Sequence, residues 1–365
     1  MKNYKLLTPG PLTTTDSVKR EMLFDHCTWD DDYKVITQKI RKRLLELSHV
    51  SDEEYTTVLM QGSGTFGVES VISSVIGKED KCLFITNGAY GERMIDMANY
   101  HNINYIVLNE EYNVVPDANQ VQEILKEDTN ITHVMMVHCE TTTGILNDIE
   151  AIGKIAKKYS KTFMVDAMSS FGGIDIQVKE YGIDFLISSS NKCIQGVPGF
   201  SFIIANKEKL IESEGKARSL SLDLYDQWIG MDKDGKWRFT SPTHVVLAFS
   251  KALDELEEEG GIVARNNRYK NNNKILREKM KKIGINSYLE DDIQSPIITT
   301  FLYEDSNFKF IDMYNFVKEN GYAIYPGKLT KVDTFRIGNI GEIYEEDINS
   351  LCDIFEKFIH VKETI

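Results

Sequence analysis

The chain has 365 residues, 42% of them hydrophobic and 27% charged, which is enough for one large domain and a smaller one with ordinary globular composition. A formal net charge of −14 leaves no bulk positive field for nucleic acid or an anionic membrane, although one local arginine would still suffice for a small anionic ligand. No apolar stretch approaches membrane-spanning length, and the opening residues lack the apolar core of a signal peptide. Cys27, Cys82, Cys139, Cys193 and Cys352 are scattered, odd in number and free of any CxxC pair, which reads as small core residues in a reducing cytoplasm. The seven histidines show no ligand spacing, so no metal is expected.

From about residue 55 to 205, short apolar runs alternate with amphipathic stretches. Strands are expected at 55–60, 82–85, 104–108, 133–138 and 162–166, with helices at 68–76, 90–100, 117–126 and 149–159 between them. Two further strands flank Lys192: the run 183–187 before it and a second one opening at Phe200. This pattern predicts a mainly parallel sheet covered by helices. Beyond Ala205 helices dominate to about Ile283, with Gly260-Gly261 breaking one pattern into two. A strand at 297–303, a helix at 310–319, short strands at 322–325 and 334–337 and a helix at 345–358 follow. That α+β character places a second domain at 259–365 after a first at 1–258, with the N-terminal segment packed across both. The acidic runs Glu255, Glu257-Glu258-Glu259 and Glu290-Asp291-Asp292 read as solvated faces.

Chemistry-bearing residues collect at the junctions between these elements. Gln61-Gly62-Ser63-Gly64-Thr65-Phe66-Gly67 follows a strand and opens a helix, where glycines admit an anion to free backbone N–H groups. The next strand ends in Thr86-Asn87-Gly88 with no acid to hold a ribose, so the cup suits a compact phosphate better than a dinucleotide; a plain tight turn is the alternative. Tyr90 either stacks on a flat ring or packs in the core. Glu140-Thr141-Thr142-Thr143-Gly144 is either a row of ligand-binding hydroxyls or a threonine-rich turn. Asp166 ends a buried strand, where a carboxylate caps a helix or keeps a pyridine nitrogen protonated. Lys192 lies 26 residues further on, in Ser188-Ser189-Ser190-Asn191-Lys192-Cys193 between two core strands. A desolvated lysine there loses its proton readily and can attack an aldehyde. Together Lys192 and Asp166 favour a pyridoxal phosphate site. Thr240 lies just before a helix and reads as a cap or a ligand contact; Arg336, on a short strand, reads as a surface residue or a clamp for a carboxylate or phosphonate.

The strings Thr8-Pro9-Gly10-Pro11, Cys139-Glu140-Thr141-Thr142-Thr143-Gly144, Asn191-Lys192-Cys193-Ile194-Gln195-Gly196-Val197-Pro198-Gly199-Phe200 and Phe335-Arg336-Ile337-Gly338-Asn339 carry a resemblance to the class V aminotransferases. It runs almost end to end, and the lysine segment is its most specific part. The resemblance implies an α/β large domain of pyridoxal-phosphate fold type I, with a seven-stranded-type sheet, and a smaller α+β C-terminal domain. It implies Lys192 as cofactor anchor and proton carrier and Asp166 as partner of the pyridine nitrogen. Tyr90 would stack on the ring, and Ser63, Gly64, Thr65, Ser189 and Asn191 would hold the phosphate. Thr141 and Thr143 would bond the ring, and Arg336 would grip the substrate anion. Thr240 would reach the neighbouring subunit's phosphate in a homodimer. Within the class, the strings are most similar to those of the aminophosphonate-using branch, which implies a small aminophosphonate donor and pyruvate as acceptor. Alanine–glyoxylate, serine–pyruvate and phosphoserine donors are the alternatives, followed by a non-catalytic phosphate-binding protein. A cysteine desulfurase is disfavoured, because the loop 326–333 holds no cysteine and Cys352 falls on an expected helix.

Overall fold

The computed structural model describes residues 4–303, 309–329 and 332–363. Seven strands form the central sheet: β1 (Tyr55–Gln61), β2 (Lys81–Thr86), β3 (Asn104–Asn109), β4 (His133–Val137), β5 (Thr162–Asp166), β6 (Phe185–Ser189) and β7 (Phe200–Asn206), in the order β1-β7-β6-β5-β4-β2-β3. All neighbours pair in parallel except β7, which is antiparallel to β1 and β6. Every residue of β4, β5 and β6 is buried, which is why these strands read as near-continuous apolar runs rather than alternating ones. Parallel neighbours need crossover connections; the helices that supply them are Gly64–Val75, Ala89–Tyr100, Ala118–Glu127 and Ile149–Lys158.

After β7 come helices Lys207–Ile211, Leu224–Asp234, Thr243–Glu258 and Gly261–Lys282. A three-stranded antiparallel sheet then sets Thr334–Gly338 between Ile298–Leu302 and Tyr325–Pro326. The main core surrounds the seven-stranded sheet. A second core gathers Leu276, Phe301, Phe335, Leu351 and Phe355 together with Leu7 from the N-terminus. Between them, Leu12, Cys139, Cys193, Tyr269, Ile297 and Ile340 form a bridging cluster. The N-terminal segment ties into the second unit, where Lys5–Leu6 pairs in parallel with Tyr322–Ala323 and the Gly338 N–H donates to the Leu7 carbonyl at 2.9 Å.

The structure shifts several expected boundaries. The first crossover helix begins at Gly64 rather than 68, because Ser63 is already its N-cap. The strand before Lys192 extends through Ser188 and Ser189, which pair with Phe202 and Ser201. The stretch 322–325 divides between two sheets. Glu259 is only partly solvated, because it bridges Arg265 and Arg268, with N–O distances of 2.7 and 2.8 Å. Cys27 is exposed rather than a core residue, while the other four cysteines are buried.

Candidate active site

A cavity of about 230 Å³ opens at the carboxyl ends of β4, β5 and β6 and is walled by Val137, Asp166 and Ser189 from those strand ends. In open α/β sheets ligands bind at this edge, where loops leave successive strands. Lys192 reaches into the cavity, and its Nζ donates to the Pro9 carbonyl at 2.9 Å. The loop carrying Pro9 presses on it: a Cβ on Gly10 would stand 2.7 Å from Lys192 Cδ and 2.9 Å from Nζ, and Gly10 takes φ +115°. Only glycine fits there. Burial lowers the pKa of Lys192, against the opposing pull of Tyr90, Cys193 and Asp166.

Asp166 is 6% exposed, and its carboxylate's one hydrogen bond among the described residues comes from the Met168 N–H at 2.9 Å. Burial pushes its pKa up to about 6; Glu140 adds to the rise, while Lys192 and Arg93 oppose it. A buried carboxyl in that condition lacks a cation.

Ser63, Gly64 and Thr65 line the cavity at the start of helix Gly64–Val75, and the Ser63 side chain makes no capping bond. A Cβ on Gly64 would overlap the thioether of Met168, so glycine keeps the backbone open to an anion. Ser189 and Asn191 also line the cavity, with Ser189 Oγ donating to Asn191 Oδ1 at 3.1 Å.

Tyr90 and Thr141 complete the wall. The Arg93 guanidinium lies 4.9 Å from the Tyr90 ring centroid and the Lys328 ammonium 4.1 Å from it. Burial raises the Tyr90 pKa, but Lys328, Lys192 and Thr141 together outweigh it, so the net shift is downward. Arg336 is 3% exposed; its Nη1 donates to the Thr141 carbonyl at 2.8 Å and its Nε to the Pro326 carbonyl at 3.0 Å. It stands behind the cavity wall rather than in it. Thr143 is buried outside the lining, with its Oγ1 accepting from the Ile145 N–H at 3.4 Å. Thr240 is exposed and also outside the lining.

Several residues of the site had no role in the sequence reading. Arg93 lines the cavity and reaches Thr65 Oγ1 at 3.4 Å. Glu140 is fully buried: Oε2 accepts from the N–H groups of Tyr90 (3.1 Å) and Gly91 (3.2 Å), and Oε1 accepts from Thr142 N (3.0 Å) and Oγ1 (2.7 Å). A carboxylate at the head of a threonine run carries no local sign that it caps a helix 50 residues earlier. Gly10 belongs to the Thr8–Pro11 string, and only its positive φ against Lys192 reveals its use.

Residues 27–337 match the family described as Aminotransferase class-V, and the chain belongs to that family. Its enzymes are pyridoxal-phosphate aminotransferases of fold type I. The chain is 58% identical over 362 residues to the 2-aminoethylphosphonate–pyruvate transaminase of Lysinibacillus sphaericus (strain C3-41), covering 99% of both. It is 56% identical over 360 residues to the bifunctional phosphonoacetaldehyde hydrolase/aminoethylphosphonate transaminase of Clostridioides difficile (strain 630), covering 98% of this chain and 57% of that protein. Among solved structures, alanine–glyoxylate aminotransferase from Nostoc sp. superposes with a TM-score of 0.90 at 22% identity, covering 98% of this chain and 96% of that one. The cavity fits the cofactor on its own chemistry: a desolvated amine, a buried carboxyl lacking a cation, and a helix start left open by glycine.

Proposed function

We propose that this chain moves the amino group of 2-aminoethylphosphonate to pyruvate, giving phosphonoacetaldehyde and L-alanine. The observation that carries the chemistry is that one cavity holds the Lys192 amine, the Asp166 carboxyl and the open helix start at 63–65. The choice of substrates is supported by the near-full-length relative. Bound pyridoxal phosphate supplies an electron sink for the carbon next to nitrogen. Lys192 is the residue that would hold it and whose amine would carry the proton from that carbon. Asp166 would hold the ring nitrogen protonated. Ser63, Gly64, Thr65, Ser189 and Asn191 hold the phosphate, with Arg93 adding charge. Tyr90 and Thr141 fix the ring, and Thr143 supports the Thr141 turn from behind. Arg336, one layer behind Thr141 and Tyr90, supplies the positive charge that the anionic end of either substrate would meet. One base serving both half-reactions makes the kinetics ping-pong.

The chain works as a homodimer, with Thr240 reaching the neighbouring subunit's phosphate; its exposure outside its own cavity supports this. Residues 1–258 and 259–365 form the two domains, a reading supported by separate cores, with Leu7 joining the second. A cytoplasmic location is supported by five unpaired cysteines. The setting is phosphonate catabolism, in keeping with a relative that couples the transaminase to a phosphonoacetaldehyde hydrolase. A donor panel tests the substrate: 2-aminoethylphosphonate alone should bleach the visible band of the purified protein, and pyruvate should restore it. Bleaching by alanine but not by the aminophosphonate would refute the assignment.

A further inference from the structure

We propose that Lys328 is a substrate-binding residue that, with Arg336, clamps the phosphonate and sets the preference for it over a carboxylate. This rests on the aminophosphonate reading above and names the device that would select that donor.

Besides Arg93, which lines the cavity, two further cations meet at Tyr90 from behind the lining. Lys328 Nζ stands 4.1 Å from its ring centroid, and Arg336 is held behind the same wall through the Thr141 carbonyl at 2.8 Å. Both are tied to one strand edge. Tyr325 pairs with Arg336 and Pro326 with Phe335, while the Pro326 carbonyl accepts from Arg336 Nε at 3.0 Å. One residue on, the Gly327 N–H donates to the Thr334 carbonyl at 2.9 Å, and a Cβ on Gly327 would overlap Thr334. The backbone is therefore pinned immediately before Lys328.

Neither cation has a carboxylate within ion-pair distance among the described residues. Arg336 donates to two backbone carbonyls, both it and Lys328 also face the Tyr90 side chain, and Glu140 acts on Arg336 only at longer range. Buried or crowded cations without an anion are unfavourable, so the pair is matched to an anion that arrives from outside. Charge count then decides which one. A carboxylate carries one charge and two oxygens, a single arginine's complement. A phosphonate, like a phosphate ester, offers three oxygens and up to two charges near neutral pH. Arg336 alone serves pyruvate; the third oxygen and second charge call for another donor, and a lysine is a compact point charge of that kind.

The test compares wild type, Lys328→Gln and Lys328→Arg as holoenzymes. Each half-reaction is measured separately, with 2-aminoethylphosphonate and with L-alanine, and inhibition by ethylphosphonate is set against inhibition by propionate. Lys328→Gln should raise KM for the aminophosphonate and weaken ethylphosphonate by about tenfold or more, with alanine and propionate changed less than about threefold. Lys328→Arg should recover most of the difference. Equal losses on both substrate types would mean that Lys328 acts through Tyr90, and no loss on either would mean that it binds nothing; both overturn the proposal. Wild type that ignores 2-aminoethylphosphonate while using another donor would instead overturn the functional reading. The ethylphosphonate–propionate comparison would still decide the role of Lys328.

Discussion

Asp166 has a liability that a cation bound beside it would remove. Its ordinary pKa is 3.8, and the fold raises it to about 6 by burial. Well below pH 3.8 the carboxyl is protonated in folded and unfolded chains alike and costs nothing. As pH rises toward 6 the unfolded chain ionises first, so folding is penalised, and above 6 the penalty is complete. At about 1.4 kcal/mol per pKa unit, the full penalty is of order 1–3 kcal/mol. Cofactor-free Asp166→Asn should therefore be more stable than cofactor-free wild type at pH 8 by about that amount, with the gap shrinking near pH 4.5. Urea titrations at the two pH values measure it; a less stable variant at pH 8 would refute the account. Lys192→Ala should lose at least about a thousandfold in turnover while its melting profile stays near wild type; activity within tenfold of wild type would remove Lys192 from the chemistry. Both residues were legible in the sequence because each ends or follows a strand that reads as fully buried. Arg93 and Lys328 were not legible. Their charge acts on residues brought near by folding, and an isolated cation on a helix or loop has no signature.

Two helix starts face this region, and the chain treats them differently. Helix Gly64–Val75 opens with an uncapped Ser63 and a glycine, which leaves its N–H groups for an anion. Helix Ala89–Tyr100 is already satisfied by the Glu140 carboxylate, which accepts from Tyr90 and Gly91. So only the first start is open to a phosphate, and the second holds Tyr90 in place. Gly88 is the residue that allows this, because a Cβ there would overlap Glu140 Cγ. Gly88→Ala should displace a buried carboxylate that has four hydrogen bonds, costing about 2–3 kcal/mol of stability. Chemical denaturation measures the loss, and a change below about 0.5 kcal/mol would contradict the packing argument. The glycine-rich start could be read from the sequence because strand, glycines and helix are contiguous. The Glu140 cap could not, since its partners lie 49 and 50 residues away.

At the scale of the molecule, the exposed apolar residues Phe24, Trp29 and Phe239 gather where the segment 23–29 meets the segment 236–244: Lys236 lies 4.6 Å from the Trp29 ring centroid, and His244 Nε2 lies 3.1 Å from Asp25 Oδ1. Thr240 sits in the same patch. Exposed apolar residues gathered on an acidic chain would suit the subunit interface proposed above, and a two-fold interface there would carry each Thr240 toward the other chain. Sedimentation should therefore give twice the 41.7 kDa chain mass. A sharper consequence concerns shared sites. Lys192→Ala disables a subunit's own cavity, whereas Thr240→Glu would place a negative charge against the partner's phosphate. In a mixed dimer of the two, one cavity carries both lesions, and the other joins an intact Lys192 to an intact Thr240. Random pairing makes half the dimers mixed, so the co-refolded pair should recover about a quarter of wild-type activity although each parent alone is inactive. Recovery measured against mixing ratio would follow a parabola with its maximum at equal amounts. No recovery, with mixed dimers confirmed by differential tagging, would place Thr240 outside the partner's site.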